Sequence, residues 1–180
     1  MKKFFSFAWE TIKLVAVALI IVLPIRYFVF QPFFVSGQSM EPNFQNGNYL
    51  IVDEISYRFK EVERGDVVVL KFPLNTSQKF IKRVIGLPGE TVEIKEGKIT
   101  ILKDGNSNVL DEKYIPEYNK TIGEMKITLG EKQYFVMGDN REFSYDSRKF
   151  GFLLENDIIG KVLFRAWPVK EIGIFSAPNY

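Results

Sequence analysis

From Ile12 to Phe30 the chain runs almost without polar interruption, "IKLVAVALIIVLPIRYFVF", broken only by Lys13, Pro24 and Arg26. A helix rises about 1.5 Å per residue, so a stretch of this length matches the hydrocarbon core of a bilayer. The pattern predicts a membrane-spanning helix with Lys13 and Arg26 near its ends, where long side chains reach the headgroups. Lys2, Lys3 and Lys13 point to a cytoplasmic N-terminus, with Arg26 pulling the other way. A cleaved signal peptide is the competing reading. The residues after the apolar run, "IRYFVFQPFF", are bulky and aromatic, and the small residues of "VSG" at Val35–Gly37 come far too late. An uncleaved anchor is therefore expected.

After Gln31 the pattern changes to short apolar runs separated by turns, which predicts an all-β domain. "NYLIVDEISYRF", "GDVVVLKF", "KFIKRVIG", "QYFVMG" and "IIGKVLFRAW" read as strands, and "ETVEIKEGKITIL" as a hairpin turning at Glu96-Gly97. Between Lys103 and Lys132 the chain is polar and irregular, as in a surface insertion.

The residues that are missing narrow the chemistry. There is no histidine and no cysteine, which removes Ser-His and Cys-His triads, thiolate chemistry, disulfides and the common transition-metal sites. The 24 basic and 22 acidic residues are too balanced to suggest nucleic acid as a partner. Yet Ser39 stands in a Gly- and Pro-bearing turn, "VSGQSMEPNF", the kind of place that holds a nucleophile. A serine hydroxyl needs a base, and the base here has to be something other than histidine.

Lysine serves only when neutral. Its free pKa is about 10.4, so a shift to around 7 costs roughly 4–5 kcal/mol, a size that burial supplies. "FIKRVIG" places Lys82 inside an apolar strand. With period 2, Lys82 shares a face with Phe80 and Val84, while Arg83 points the other way with Ile81 and Ile85. Taken alone, "KR" is more often the solvated end of an edge strand, because buried lysines are rare. The stretch "MGDNREFSYDSRKFG" adds Asp139, Arg141, Ser144, Asp146, Ser147 and Arg148 in a loop after a strand. On its own this is ordinary turn chemistry. It nevertheless offers a carboxylate for a buried Arg83 and hydroxyls for a neutral Lys82.

These stretches together resemble the type I signal peptidase (leader peptidase) family, membrane serine proteases that remove signal peptides from exported proteins. "SMEP" at Ser39–Pro42, "RGDVVVL" at Arg64–Leu70, "KRVIGLPGE" at Lys82–Glu90 and "GDNREFSYDSR" at Gly138–Arg148 occur in family order behind the anchor. The resemblance implies Ser39 as nucleophile and Lys82 as general base, with Ser144 orienting the amine. It further implies pairing of Asp139 with Arg83 and of Asp146 with Arg148, and no cofactor or metal. The implied fold is mostly antiparallel β, with a cytoplasmic N-terminus and transmembrane helix in residues 1–31 and a catalytic β domain (32–90 and 133–180). A small inserted β region would occupy 91–132. Implied partners are the signal peptides of secreted preproteins, cut after small residues of the Ala-X-Ala type, then membrane lipid, with a translocon nearby. The implied place is the cell membrane, with a single pass and the catalytic domain outside the cytoplasm.

The departures fall around the nucleophile. Gly37 stands where some relatives carry a serine that helps form the oxyanion hole. The Ser39 backbone N–H is then one donor, with Ser36 or a nearby N–H as the second. On that account Gly37→Ser is tolerated; if instead Gly37 holds a positive φ, any side chain is strained there. Asn43 and Phe44 replace the usual Thr and Leu, and Glu90 stands where Asp is frequent. Three rivals are weaker: an SOS-repressor-type Ser-Lys autoprotease, which has a DNA-binding domain where this chain has its span; a pilus-type assembly factor without the dyad; and a membrane-tethered β domain with accidental motifs.

Overall fold

A computed structural model describes residues 2–28, 30–178 and 180. The N-terminal helix α1 runs Lys2–Phe28, and the strand β1, Phe30–Phe34, follows it. Phe4, Phe7, Leu14, Val17, Ile20 and Val22 on α1 are exposed. Among the described residues no helix is long and apolar enough to cross a membrane. Much of the expected span's second half, including Arg26 and the rings of Phe28 and Phe30, lies outside the described side chains, as do Lys2 and Lys3.

The rest is two antiparallel sheets. The larger contains β1, β2 (Tyr49–Asp53), β3 (Val67–Phe72) and β4 (Asn75–Gly86). It is completed by the strands Gln133–Met137, Leu153–Leu154, Ile158–Trp167 and Gly173–Ile174. The smaller contains β5 (Thr91–Lys95), β6 (Lys98–Lys103), β7 (Asn106–Val109) and β8 (Met125–Thr128). With the later strands labelled β9 to β12 in order, the large sheet reads β1-β2-β11-β3-β4-β9-β10 and β12 pairs with β11; the small one reads β7-β6-β5-β8. The mostly antiparallel β fold expected from the sequence is the fold observed. The hairpin is there too: Lys95 faces Lys98, and Glu96 and Gly97 both take positive φ, as a two-residue turn requires.

The alternation of buried side chains explains why the large sheet carries a core on each face. Val67 and Val69 of β3 pack with Leu50, Val52, Ile81, Met40 and Phe44, whereas Val68 and Leu70 pack on the other side with Val84, Tyr134, Val136 and Leu153. A third cluster joins the sheets: Ile85, Phe135 and Met137 of the large one meet Val92, Ile94, Ile99 and Ile101 of the small one. At Gly160 a Cβ would run into the Asp53 carbonyl, so β11 can lie against β2 there only without a side chain.

One expected strand is shortened and two are added. "NYLIVDEISYRF" is strand only to Asp53, because the Asp53 carboxylate accepts the N–H groups of Ile55 and Ser56 and turns the chain into a single helical turn, Ser56–Arg58. The polar stretch after Lys103 carries two short strands, β7 and β8, that its composition did not announce.

Candidate active site

Ser39 opens the turn that follows β1. Its neighbours Met40 and Phe44 are both fully buried, and the Phe44 N–H donates to the Met40 carbonyl. Phe44 also packs on Phe175, with ring centroids 4.3 Å apart. These apolar anchors leave the partly exposed Ser39 little freedom. A second set of contacts holds the turn to the loop after β9 (α2, Ser147–Phe150, closes this loop). Asn140 donates its N–H to the Ser39 carbonyl at 3.0 Å and its Nδ2 to the Gln38 carbonyl at 3.1 Å.

Lys82 reaches Ser39 from β4. Its Nζ donates to Ser39 Oγ at 2.9 Å and to the Ile81 carbonyl at 2.8 Å, and lies 5.2 Å from the Phe80 ring centroid. The residue is 3% exposed. Burial pushes its pKa from 10.5 to about 8, against the opposing pull of the Asp146 and Asp139 carboxylates. The open question of solvated edge or buried amine is thus decided by position: β4 lies between β3 and β9.

Arg83, on the other face, is paired in full. Nε donates to Asp139 Oδ1 at 2.8 Å, Nη2 to Asp139 Oδ2 at 2.6 Å and Nη1 to the Gly65 carbonyl at 2.9 Å. Its guanidinium also sits 4.3 Å from the centroid of the Tyr114 ring. Asp146 is equally buried. Burial raises its pKa, but Arg148 and the Gly138 N–H outweigh that and hold the carboxyl below its usual range. Arg148 Nε donates to Asp146 Oδ1 at 2.9 Å and Nη2 to Oδ2 at 2.8 Å.

Ser144 is 2% exposed, and its Oγ makes no hydrogen bond to Lys82 or to any other described group. It lies near enough to Asp146 to favour the charged carboxylate, but outside bonding geometry. It also packs against Gly138, where a Cβ would come within 2.3 Å of Ser144 Oγ and 2.4 Å of the Ser39 carbonyl. That position has room for hydrogen and nothing larger.

Around the Ser39 hydroxyl, the Ser39 N–H makes no hydrogen bond among the described residues, whereas the Gly37 N–H is committed to Asn46 Oδ1 at 2.9 Å. Ser36 is exposed one residue earlier. Gly37 has φ of 96°, a region where side chains are strained even though the space around it is open. The expectation that serine is tolerated there is reversed: Gly37→Ser and Gly37→Ala should lose activity alike.

Several groups of the site had no signal in the sequence. Glu112 accepts from Arg141 Nη1 at 2.8 Å, Tyr114 OH donates to Glu112 Oε1 at 2.6 Å, and Asn119 Nδ2 donates to the Asp139 carbonyl at 2.7 Å. All three come from the polar stretch between β7 and β8, which has no period to read. The Glu90 departure is accommodated: its carboxylate takes Arg64 Nη2 at 2.7 Å and the Leu87 N–H at 2.8 Å.

A hydroxyl held 2.9 Å from a buried amine, with the amine's proton loosened by desolvation, is an arrangement for nucleophilic attack. The family model described as "Signal peptidase, peptidase S26" matches residues 8–167. The chain belongs to the signal peptidase family, peptidase S26. It is therefore a peptidase. It is 39% identical over 178 residues to a probable signal peptidase I-1 of Synechocystis sp., covering 93% of this chain and 87% of that one. It is 38% identical over 168 residues to a signal peptidase I of Bacillus caldolyticus, covering 86% and 89%. Signal peptidase IB of Staphylococcus aureus is 36% identical over 180 residues, covering 90% and 91%. A signal peptidase I of Enterococcus faecalis V583 of known structure is 32% identical and covers 57% of this chain and 97% of its own, at a TM-score of 0.49, too low to argue a shared fold.

Proposed function

We propose that this peptidase removes N-terminal signal peptides from exported preproteins, cutting after small residues of the Ala-X-Ala type. Ser39 is the nucleophile and Lys82 the general base. The observation that carries the reading is the 2.9 Å approach of Lys82 Nζ to Ser39 Oγ inside a buried setting. In the neutral amine the lone pair faces the hydroxyl. As Ser39 Oγ attacks the scissile carbonyl carbon, its proton passes to Lys82, and the oxyanion is stabilised by the Ser39 N–H. Lys82 then protonates the leaving amine. Water, deprotonated by the same amine, attacks the acyl ester and frees Ser39.

Ser144 makes no bond to the amine, so in this reading it acts by packing against Gly138 beside the Ser39 carbonyl, and the Arg83–Asp139 and Arg148–Asp146 pairs fix the loop that frames the site. Residues 91–132 form an inserted unit on the catalytic β domain. The enzyme works at the membrane, with α1 as its anchor, the N-terminus in the cytoplasm, the domain outside and the translocon nearby. The exposed Phe7, Leu14, Val17, Ile20 and Val22 of α1 support this, as do Phe34 and Trp167, 63% and 57% exposed where β1 and β11 flank β2.

The test is cleavage of a preprotein by the full chain in detergent or liposomes, with product N-termini read by mass spectrometry. Wild type should cut at the Ala-X-Ala boundary, Ser39→Ala and Lys82→Ala should not, and Leu or Phe in place of Ala at −1 should block processing. Efficient cutting after large residues would overturn the substrate assignment.

A further inference from the structure

Asn43 uses both hydrogens of its side-chain amide. Nδ2 donates to Asp139 Oδ2 at 2.9 Å and to the Tyr114 carbonyl at 3.0 Å. The three residues come from three separate segments: the Ser39 turn, the loop after β9 and the stretch between β7 and β8. The Asn43 carbonyl accepts from Arg165 Nη1 at 3.0 Å, which fixes the backbone at the same point. Asn140 holds the near end of the turn through Gln38 and Ser39, while Asn43 holds the far end through Asp139. Ser39 is therefore tied to the loop from both sides, and the loop is tied to β4 through Arg83.

We propose that Asn43 is a positioning residue for the reaction, acting through Asp139 to hold Ser39 in line with Lys82 and to temper the negative charge that Asp139 presents to that amine. This rests on the Ser39–Lys82 reading above.

The donor count explains why this residue type suits the place. Two acceptors converge on one nitrogen, and an amide nitrogen brings two hydrogens; threonine brings one and alanine none. The groups facing Lys82 are the Asp139 and Asp146 carboxylates, the Ser39 hydroxyl and the Phe80 ring. Asp139 in turn faces Arg83 and Asn43, with Arg141 and Tyr180 further off. Removing the Asn43 donor leaves the Asp139 charge less neutralised and lets water reach the turn. Both changes favour protonated Lys82.

The experiment compares wild type with Asn43→Ala, Asn43→Asp and Asn43→Thr as full chains in detergent micelles. The Lys82 Nζ is titrated by NMR after ¹⁵N-lysine labelling, and kcat/KM for a test preprotein is followed from pH 6 to 10. The titration should move up by about one unit in Asn43→Ala, and further in Asn43→Asp, where a second carboxylate adjoins Asp139. At pH 8 that lowers the neutral fraction about fivefold, so kcat/KM falls by about that factor and recovers toward pH 10 with KM steady. Asn43→Thr, which keeps one donor, should fall between wild type and alanine, and it carries the test if Asn43→Ala does not fold. An unmoved Lys82 titration in Asn43→Asp, or a loss of activity equal at every pH, overturns the proposal and leaves Asn43 a packing residue. A wild type that titrates as described but cuts no preprotein would instead refute the substrate reading alone.

Discussion

Lys82 and Arg83 are adjacent cations on one strand, 3% and 5% exposed, and the fold treats them in opposite ways. Arg83 is surrounded by compensation: a carboxylate held through two nitrogens, a backbone carbonyl and a tyrosine ring. Lys82 receives a hydroxyl, a carbonyl and a phenyl ring, with the carboxylates kept beyond bonding distance. Equal burial thus produces one permanent cation and one amine that can shed its proton. The guanidinium stays charged by its own chemistry and needs partners to offset its burial, whereas the amine, with no carboxylate in contact, yields to desolvation.

The most severe way to break this contrast is to make the two faces alike. Lys82→Arg places a guanidinium that cannot be deprotonated beside Ser39, and turnover should fall on the order of 10⁴-fold with the fold intact by circular dichroism. Substantial cleavage by that variant would end the role of Lys82 as base.

Stripping the compensation from the other face comes next. Asp139→Ala strands Arg83 in the interior and should cost about 3–5 kcal/mol in denaturant unfolding. A loss under about 1 kcal/mol would mean that water already reaches the pair.

A third comparison sharpens the cost of leaving Lys82 unpaired. With its pKa lowered from 10.5 to about 8, the folded state carries the full penalty below pH 8, where both folded and unfolded chains hold the proton. Between pH 8 and 10.5 the unfolded chain binds more protons, so wild-type stability rises with pH. Lys82→Met should accordingly be more stable than wild type at pH 7 by up to about 3 kcal/mol, with the gap closing toward pH 10.5. A gap that does not change with pH would contradict the lowered pKa.

The smallest effect is expected from Tyr114→Leu, which removes both the ring under Arg83 and the hydroxyl bond to Glu112 and should cost about 2 kcal/mol. The same change in an Asp139→Ala background tells whether ring and carboxylate act independently.

The contrast between neighbours was legible in part. A period of two put Phe80, Lys82 and Val84 on one face and Ile81, Arg83 and Ile85 on the other, and the clusters follow that division. The short apolar runs gave the class of fold, because each is long enough for a strand and too short for a helix. Burial of Lys82 was not readable from "FIKRVIG", since it depends on β3 and β9 flanking β4. Tyr114, Glu112 and Asn119 were invisible for another reason. They sit in irregular backbone, where no periodicity links a side chain to the distant group it meets.

The cluster shared by the two sheets bears on where the chain can change length. Because Ile85 and Phe135 interlock with Val92 and Ile94, the crossings between sheets at Leu87–Glu90 and Leu129–Lys132 are fixed in span, and an added residue there would shear one apolar face past the other. The hairpin ends at Glu96-Gly97 and Asp104-Gly105 point into solvent with no such obligation. Variation in size among natural versions of this chain should therefore collect at those tips, lengthening the small sheet outward while its root stays the same.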